Sequence, residues 1–404
     1  MNKKSMYSMI FVILFVLICV GLYAQVEFIE QLRGGVPEPI TKVVYPFRLT
    51  RSHIIEVPTK INDLDPELTF VFDTAGNTMI GWDMAEALGL VIDSMVTPMQ
   101  TMYLTEAEVV HASGLTIRDF NLTVIDFKNT FDLGNDKLEG MIGPDFIRFF
   151  RTTIDYKNNE LIFENNDIPL KAETSKQHLL DMEIMMPYHP SVQMQIGDFF
   201  PIMGRIDTGL HYPIVLSITF IELLPEEEQE KLIACKGYFA KWPFTETHEN
   251  YLYKCNEISI GNMKLKDVGV IFAEFPFNNS ALLGKDFLEQ FVTTLDFPNR
   301  KVLLTEVEES PKDILFTTGI NVRKLDDGTF KIIGLWEDSP ADKAGIELDD
   351  IIIEVNSTTA NEIETGALYL MRFDTNVKEM KFKIKKAGSE EVQEVVLEKE
   401  YLIE

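Results

Sequence analysis

The chain has 404 residues, 46% of them apolar and 25% charged, a composition that folds and is long enough for two or three domains with cores of their own. Its formal net charge of −27 argues against nucleic-acid backbones and anionic lipid surfaces as partners, because both need clustered Lys and Arg. The charge says little about fold.

The first element is a leader over residues 1–24. Lys3 and Lys4 precede an apolar run from Met9 to Tyr23, and Ala24 closes it. A charged start, an apolar middle shorter than the roughly 20 residues of a bilayer span, and a small final residue describe a signal peptide. Leu22 is imperfect for cleavage and keeps an uncleaved membrane anchor as the alternative. The mature chain is expected to be exported, periplasmic or extracellular. Cys19 leaves with the leader, so Cys235 and Cys255 remain and are expected to form one disulfide in an oxidising compartment. The stretch 237–255 reads as a hairpin with that bridge at its base.

Short strands follow the leader. "KVVYPFRLT", "LTFVFD", "EVVHAS", "LTVIDF" and "TTIDYKNNELIF" carry β-branched and aromatic residues between turn signals. "AEALGL" and "DFIRFF" read as single short helices. Within this series "FVFDTAGNTMI", Phe70–Ile80, ends an apolar run on Asp73. Asp followed by Thr74, Ala75 and Gly76 is ordinary turn chemistry, since Asp bonds its own backbone. The same residues could hold half of a catalytic carboxylate pair. The stretch alone does not choose.

A repeat chooses. Met141–Phe163 aligns without a gap on Leu282–Leu304, with Gly143 on Gly284, Asp145-Phe146 on Asp286-Phe287, and Phe150, Thr152, Thr153, Asp155 and Asn158 on identical partners. An apolar–Asp–Thr corner stands upstream of each copy, at Asp73 and at Asp207 in "GRIDTGLHYPIVLS". The expected organisation is two copies of one mainly β unit, over 40–168 and 178–306, joined by the polar "NNDIPLKAETSK".

These motifs resemble those of the aspartic proteases, in particular bacterial members of the retropepsin-like and pepsin-like group. Ile206-Asp207-Thr208-Gly209 followed by Leu282-Leu283-Gly284 fits the family pattern, and Phe72-Asp73-Thr74 followed by Met141-Ile142-Gly143 gives the first copy. The resemblance implies two pseudo-symmetric β lobes that bring Asp73 and Asp207 together as a dyad sharing one proton, with Thr74 and Thr208 cross-bonding the two loops. It implies no metal, no cofactor and no covalent intermediate. The first copy departs in order: the family has Gly next, whereas Ala75 precedes Gly76, and a Cβ there could obstruct the cleft. His211 lies near Asp207 but has no nucleophile in a recognisable elbow and reads as structural.

Beyond "EVEESPKD", residues 309–402 resemble a PDZ domain of bacterial type through "SPADKAGI" and "DDIIIEVN". The resemblance implies an α+β module in which Thr318, Gly319 and Ile320 receive a peptide C-terminal carboxylate. The strand from Ile320 would pair with the peptide, and a helix near Glu362–Met371 would wall the groove. The alternative is a PDZ fold used only for packing against the lobes. Together these readings give an exported aspartic endopeptidase acting on polypeptides. The competing expectation is an inactive peptide-binding protein on the same scaffold.

Overall fold

The computed structural model describes residues 34–96, 101–127, 138–165, 168–185, 188–242, 245, 248–275, 280–307 and 313–403. The expected leader, with Cys19, lies outside the described residues. Among those described, no helix is long and apolar enough to cross a membrane.

The protein is mainly β. In the first half β1 (Ile55–Ile61), β2 (Leu68–Phe72), β3 (Met79–Gly81), β4 (Thr101–Ala112), β5 (Leu115–Ile125) and β6 (Gly140–Ile142) form one sheet. β1 alternates buried and half-buried positions, as a strand with one covered face does. β2 runs antiparallel to β1 and parallel to β6, β6 is antiparallel to β3, and β3 is parallel to β5. Helix α1 (Trp82–Ala87) starts three residues before the helix read from "AEALGL", with Asp83 in its first turn. Helix α2 (Pro144–Ile147) follows Gly143. β7 (Arg151–Asp155) and β8 (Glu160–Glu164) form a hairpin.

The second half repeats this order. Its strands are β9 (His189–Ile196), β10 (Phe200–Ile206), β11 (Ile214–Ser217), β12 (Ile233–Gly237), β13 (Asn250–Ile260), β14 (Met263–Ala273) and β15 (Ser280–Leu283). β10 is antiparallel to β9 and parallel to β15, β15 is antiparallel to β11, and β11 is parallel to β14. α3 (Lys285–Leu288) then leads to β16 (Phe291–Asp296) and β17 (Lys301–Glu306). β6 and β15 are buried throughout, and apart from Ser280 their residues are apolar or glycine.

The halves join through β7 and β16, which pair antiparallel with Thr153 opposite Thr294. The two threonine hydroxyls are 2.9 Å apart. These residues also match each other in the repeat, so the two halves meet at equivalent positions. To one side the buried Arg151 donates Nη2 to Asp296 Oδ2 at 2.7 Å. One apolar core, with Phe70, Phe72 and Ile142 from the first half and Ile206, Leu283 and Leu295 from the second, spans both.

The C-terminal part contributes β18 (Ile320–Lys324), β19 (Phe330–Trp336), β20 (Ile351–Val355), α4 (Thr365–Phe373), β21 (Glu379–Lys385) and β22 (Val392–Glu398). β19 pairs with β18 along one edge. Along the other it pairs first with β20 and then, at Gly334–Trp336, with β12 of the second half. The stacked Phe239 and Trp336 rings, 4.0 Å apart and 13° from parallel, sit at that joint.

The expected disulfide is corrected. Cys235 and Cys255 are free thiols. β12 does pair with β13, but Ile233 faces Leu252 and Ala234 faces Tyr251. That register sets Cys235 opposite residue 250, and Cys255 lies five positions farther along, roughly 16 Å at about 3.3 Å per residue. A bridge needs Cα atoms within about 7 Å. Each Sγ donates instead to a nearby carbonyl, Cys235 to Lys236 O and Cys255 to Glu257 O, both at 3.2 Å.

Candidate active site

Asp73 and Asp207 each stand one residue past the end of a strand, β2 and β10. Their own amides still extend the ladder, Asp73 N to Ile142 O at 3.0 Å and Asp207 N to Leu283 O at 2.9 Å. The chain then turns. Ala75 N donates to Asp73 Oδ1 at 2.8 Å, and Gly209 N donates to Asp207 Oδ1 at 3.0 Å. Each Asp is therefore a turn residue, as its local sequence suggests. That turn role leaves the rest of the carboxylate available to the partner loop.

The two carboxyls meet. The side chain of Asp207 and the backbone N–H groups of Ala75, Gly76 and Gly209 all act on Asp73, each favouring its ionised form. A Cβ on Gly209 would lie 2.5 Å from Asp73 Oδ2, so glycine is what admits this approach. Burial raises both carboxyls above their usual range. Asp207 is pushed well above it, by burial and then by the charge of Asp73. Backbone N–H groups of Gly209 and Leu210 pull the other way on Asp207. Two carboxyls so placed titrate as a pair rather than as independent groups.

The threonines lock the two loops to each other. Thr74 N donates to Thr208 Oγ1 at 3.1 Å and Thr208 N to Thr74 Oγ1 at 3.2 Å. Thr74 Oγ1 donates to Ile206 O at 2.6 Å, and Thr208 Oγ1 donates to Phe72 O at 2.9 Å. Both threonines are buried. Gly143 and Gly284 cross directly beneath these loops. A Cβ would meet Gly76 O at 2.3 Å in the first case and Tyr212 O at 2.0 Å in the second, which explains their places in the repeat. In the first half Asp145 Oδ1 accepts from both Thr78 N (2.8 Å) and Thr78 Oγ1 (2.7 Å), and Gly143 N donates to Thr78 Oγ1 at 2.9 Å.

No family model matches the chain, and no curated protein matches it. A similar solved structure is that of basic 7S globulin from soybean, at 13% identity and a TM-score of 0.42, covering 66% of this chain and 95% of that one.

Thr318, Gly319 and Ile320 lie just before and at the start of β18, and all three are buried. Gly319 N donates to Thr317 Oγ1 at 3.1 Å, and Gly319 O accepts from Trp336 N at 2.9 Å. Ile320 O accepts from Arg372 Nη1 of α4 at 2.8 Å, and Lys324 Nζ reaches Ile363 O. Arg372 thus bridges α4 to the Ile320 carbonyl beside the loop expected to receive a peptide carboxylate, and Lys324 reaches across to the residues just before α4.

Sequence reasoning missed a buried cation beside the pair. Arg205, 3% exposed, stands two residues before Asp207 and donates Nη1 to the buried His189 Nδ1 at 2.8 Å. Its charge favours ionised Asp207. Burial, then Arg205, lowers His189 to about 3, so it is a neutral acceptor. The matching first-half positions, Val71 and Ile54, are apolar and pack together. An Arg inside "FPIMGRID" was the available signal, since an unpartnered charge is not tolerated in a buried strand.

Proposed function

We propose that the protein is an aspartic-type endopeptidase whose catalytic pair is Asp73 and Asp207, built from two pseudo-symmetric lobes with a PDZ-type module after them. The observation that carries this reading is the meeting of two carboxyls, Asp207 buried and Asp73 half-buried, at equivalent corners of a repeated unit. The ionised member takes a proton from a water held between the pair as that water's oxygen attacks the scissile carbonyl carbon. The protonated member donates to the carbonyl oxygen. Proton transfer to the nitrogen and cleavage of the C–N bond then restore the pair to its singly protonated state. The crossed threonines contribute by fixing the carboxyl separation, which sets whether one proton is shared.

The leader and its apolar run support export, with polypeptides as the substrate class. A free peptide C-terminus would have to displace Arg372 from Ile320 O. Free-acid and amidated peptides should therefore bind the wild type alike, and an Arg372→Ala variant that discriminates between them would support a latent carboxylate site.

Cleavage of a mixed peptide library by the purified mature protein tests the main reading. Asp73→Asn and Asp207→Asn should each remove most of the turnover, and undiminished turnover in both would sink it. Ala75 favours a second reading. It occupies the position of Gly209, the residue whose missing Cβ admits Asp73. If its methyl narrows the cleft around Asp207, the protein binds peptides without cutting them. Activity that appears only after Ala75→Gly would select that reading.

A further inference from the structure

The repeat sets up a comparison that the two halves do not complete in the same way. Asp145 and Asp286 are equivalent, each two residues after the crossing glycine and each buried. In the first half Thr78, five residues after Asp73, gives Asp145 both its backbone N–H and its hydroxyl. The equivalent residue five after Asp207 is Tyr212, whose hydroxyl turns away and donates to Phe239 O at 3.1 Å. Tyr212 therefore does not tie this carboxylate to the catalytic loop through its hydroxyl as Thr78 does in the first half.

A hydroxyl does reach Asp286 from the C-terminal part. Tyr369 of α4 donates Oη to Asp286 Oδ2 at 2.8 Å. Its ring also packs on the loop itself, 5.1 Å from the His211 ring and 5.9 Å from that of Tyr212. Asp286 N in turn donates to His211 O at 3.1 Å, so carboxylate and loop are one unit. Burial, then the charge of Asp286, raises the Tyr369 hydroxyl well above its usual range, so it stays a neutral donor.

The helix is held at both ends. Gly366 N donates to Arg51 O of the first half at 2.8 Å, while Arg372 Nη1 bonds Ile320 O and Asn321 Oδ1 at 2.8 and 2.9 Å. The Arg372 guanidinium lies 5.3 Å from the Tyr369 ring centroid. A side chain so fixed can impose a position on what it bonds.

We propose that Tyr369 is a positioning residue for the Asp207 loop, supplying to Asp286 the hydroxyl that Thr78 supplies to Asp145. This rests on the reading of Asp73 and Asp207 as a working pair. The C-terminal module is then part of the catalytic scaffold rather than an appended recruiter.

The test uses the whole chain with Tyr369→Phe, which removes one oxygen and keeps the ring packing, and Thr78→Val as its mirror. Two readouts are taken on folded protein, library turnover and amide hydrogen exchange resolved to peptides. Tyr369→Phe should lower kcat by about 10- to 100-fold with KM nearly unchanged, as expected for a displaced catalytic group. Exchange should accelerate at least tenfold in residues 207–213 and stay at the wild-type rate in 73–78, and Thr78→Val should show the converse. A contact that only adds stability would shift the melting temperature and leave kcat per folded molecule intact. Wild-type exchange in 207–213 together with wild-type kcat in Tyr369→Phe would overturn the proposal. If Asp73→Asn retains full turnover, the catalytic reading fails on its own, and the exchange pattern still decides whether Tyr369 holds the loop.

Discussion

Replacing Thr208 by Val removes one hydroxyl and keeps the shape of the side chain. Two groups lose a partner: Phe72 O, which accepts from that hydroxyl at 2.9 Å, and Thr74 N, which donates to it at 3.1 Å. Thr208 is 1% exposed, so water does not replace either bond. Each of these two buried backbone groups left without a partner costs about 1–3 kcal/mol, and the gain from burying a methyl in place of a hydroxyl returns about 1, giving a net loss of roughly 1–5 kcal/mol. The control is Thr293→Val in β16. That hydroxyl is buried with no hydrogen-bond partner among the described residues, so the same substitution should be neutral or stabilising by up to about 1 kcal/mol. Urea unfolding followed by tryptophan fluorescence, with midpoints compared at a shared slope, measures both. A Thr208→Val loss within about 0.5 kcal/mol of the Thr293→Val value would refute the claim that the crossed threonines hold the loops. Adding Thr74→Val should cost less than it does alone, because loops that have already separated have less to lose.

Gly209→Ala should fold and lose most of its turnover, since the new methyl would sit 2.5 Å from Asp73 Oδ2; peptide-library turnover on folded protein checks this. Asp207, raised by burial and by Asp73, resists ionisation in the folded state, so wild-type stability should fall as pH climbs from about 4 through its folded value. Asp207→Asn should flatten that decline and be the more stable protein at pH 7, as urea midpoints across pH would show. His189, lowered to about 3, makes folding oppose proton uptake; its contribution is present above about pH 6.5 and drains at about 1.4 kcal/mol per unit as pH falls toward 3. His189→Gln should remove that slope. Cys235 and Cys255, raised by burial to about 12 and about 11, should alkylate slowly when folded and completely in denaturant without reductant, which mass spectrometry resolves.

Asp73 was undecidable from its own neighbours because the turn and the carboxylate pair use the same geometry. What made it legible was a relation between distant residues. The identities that match Thr153 to Thr294 also set those two opposite each other, and once they face one another Asp73 and Asp207 follow. Strand alternation was readable because local sterics dictate it, and the Gly143 and Gly284 positions because the repeat sets one on the other. The cysteine pairing was not, because the offset of β12 against β13 depends on the loop between them. Nor was the joining of β12 to β19, or the reach of Tyr369 to Asp286. Those contacts depend on how a third unit docks, and docking has no period in the sequence. Arg205 stood in plain view but reads as an interruption of a strand until His189 is seen beside it.

The pairing of β7 with β16 has a consequence for biosynthesis. β7 acquires β8 almost as soon as it leaves the ribosome, yet its other edge waits for a partner encoded 141 residues later. At about 5–20 residues per second, that edge stands open for roughly 7 to 30 s. An open edge is a template for a neighbouring nascent chain. Arg151 and Asp155, at the two ends of β7, put opposite charges on that waiting edge. An antiparallel second copy of β7 would set Arg151 against Asp155 at both ends, so the edge stays attractive until β16 arrives, Asp296 pairs with Arg151 and the sheet closes on itself.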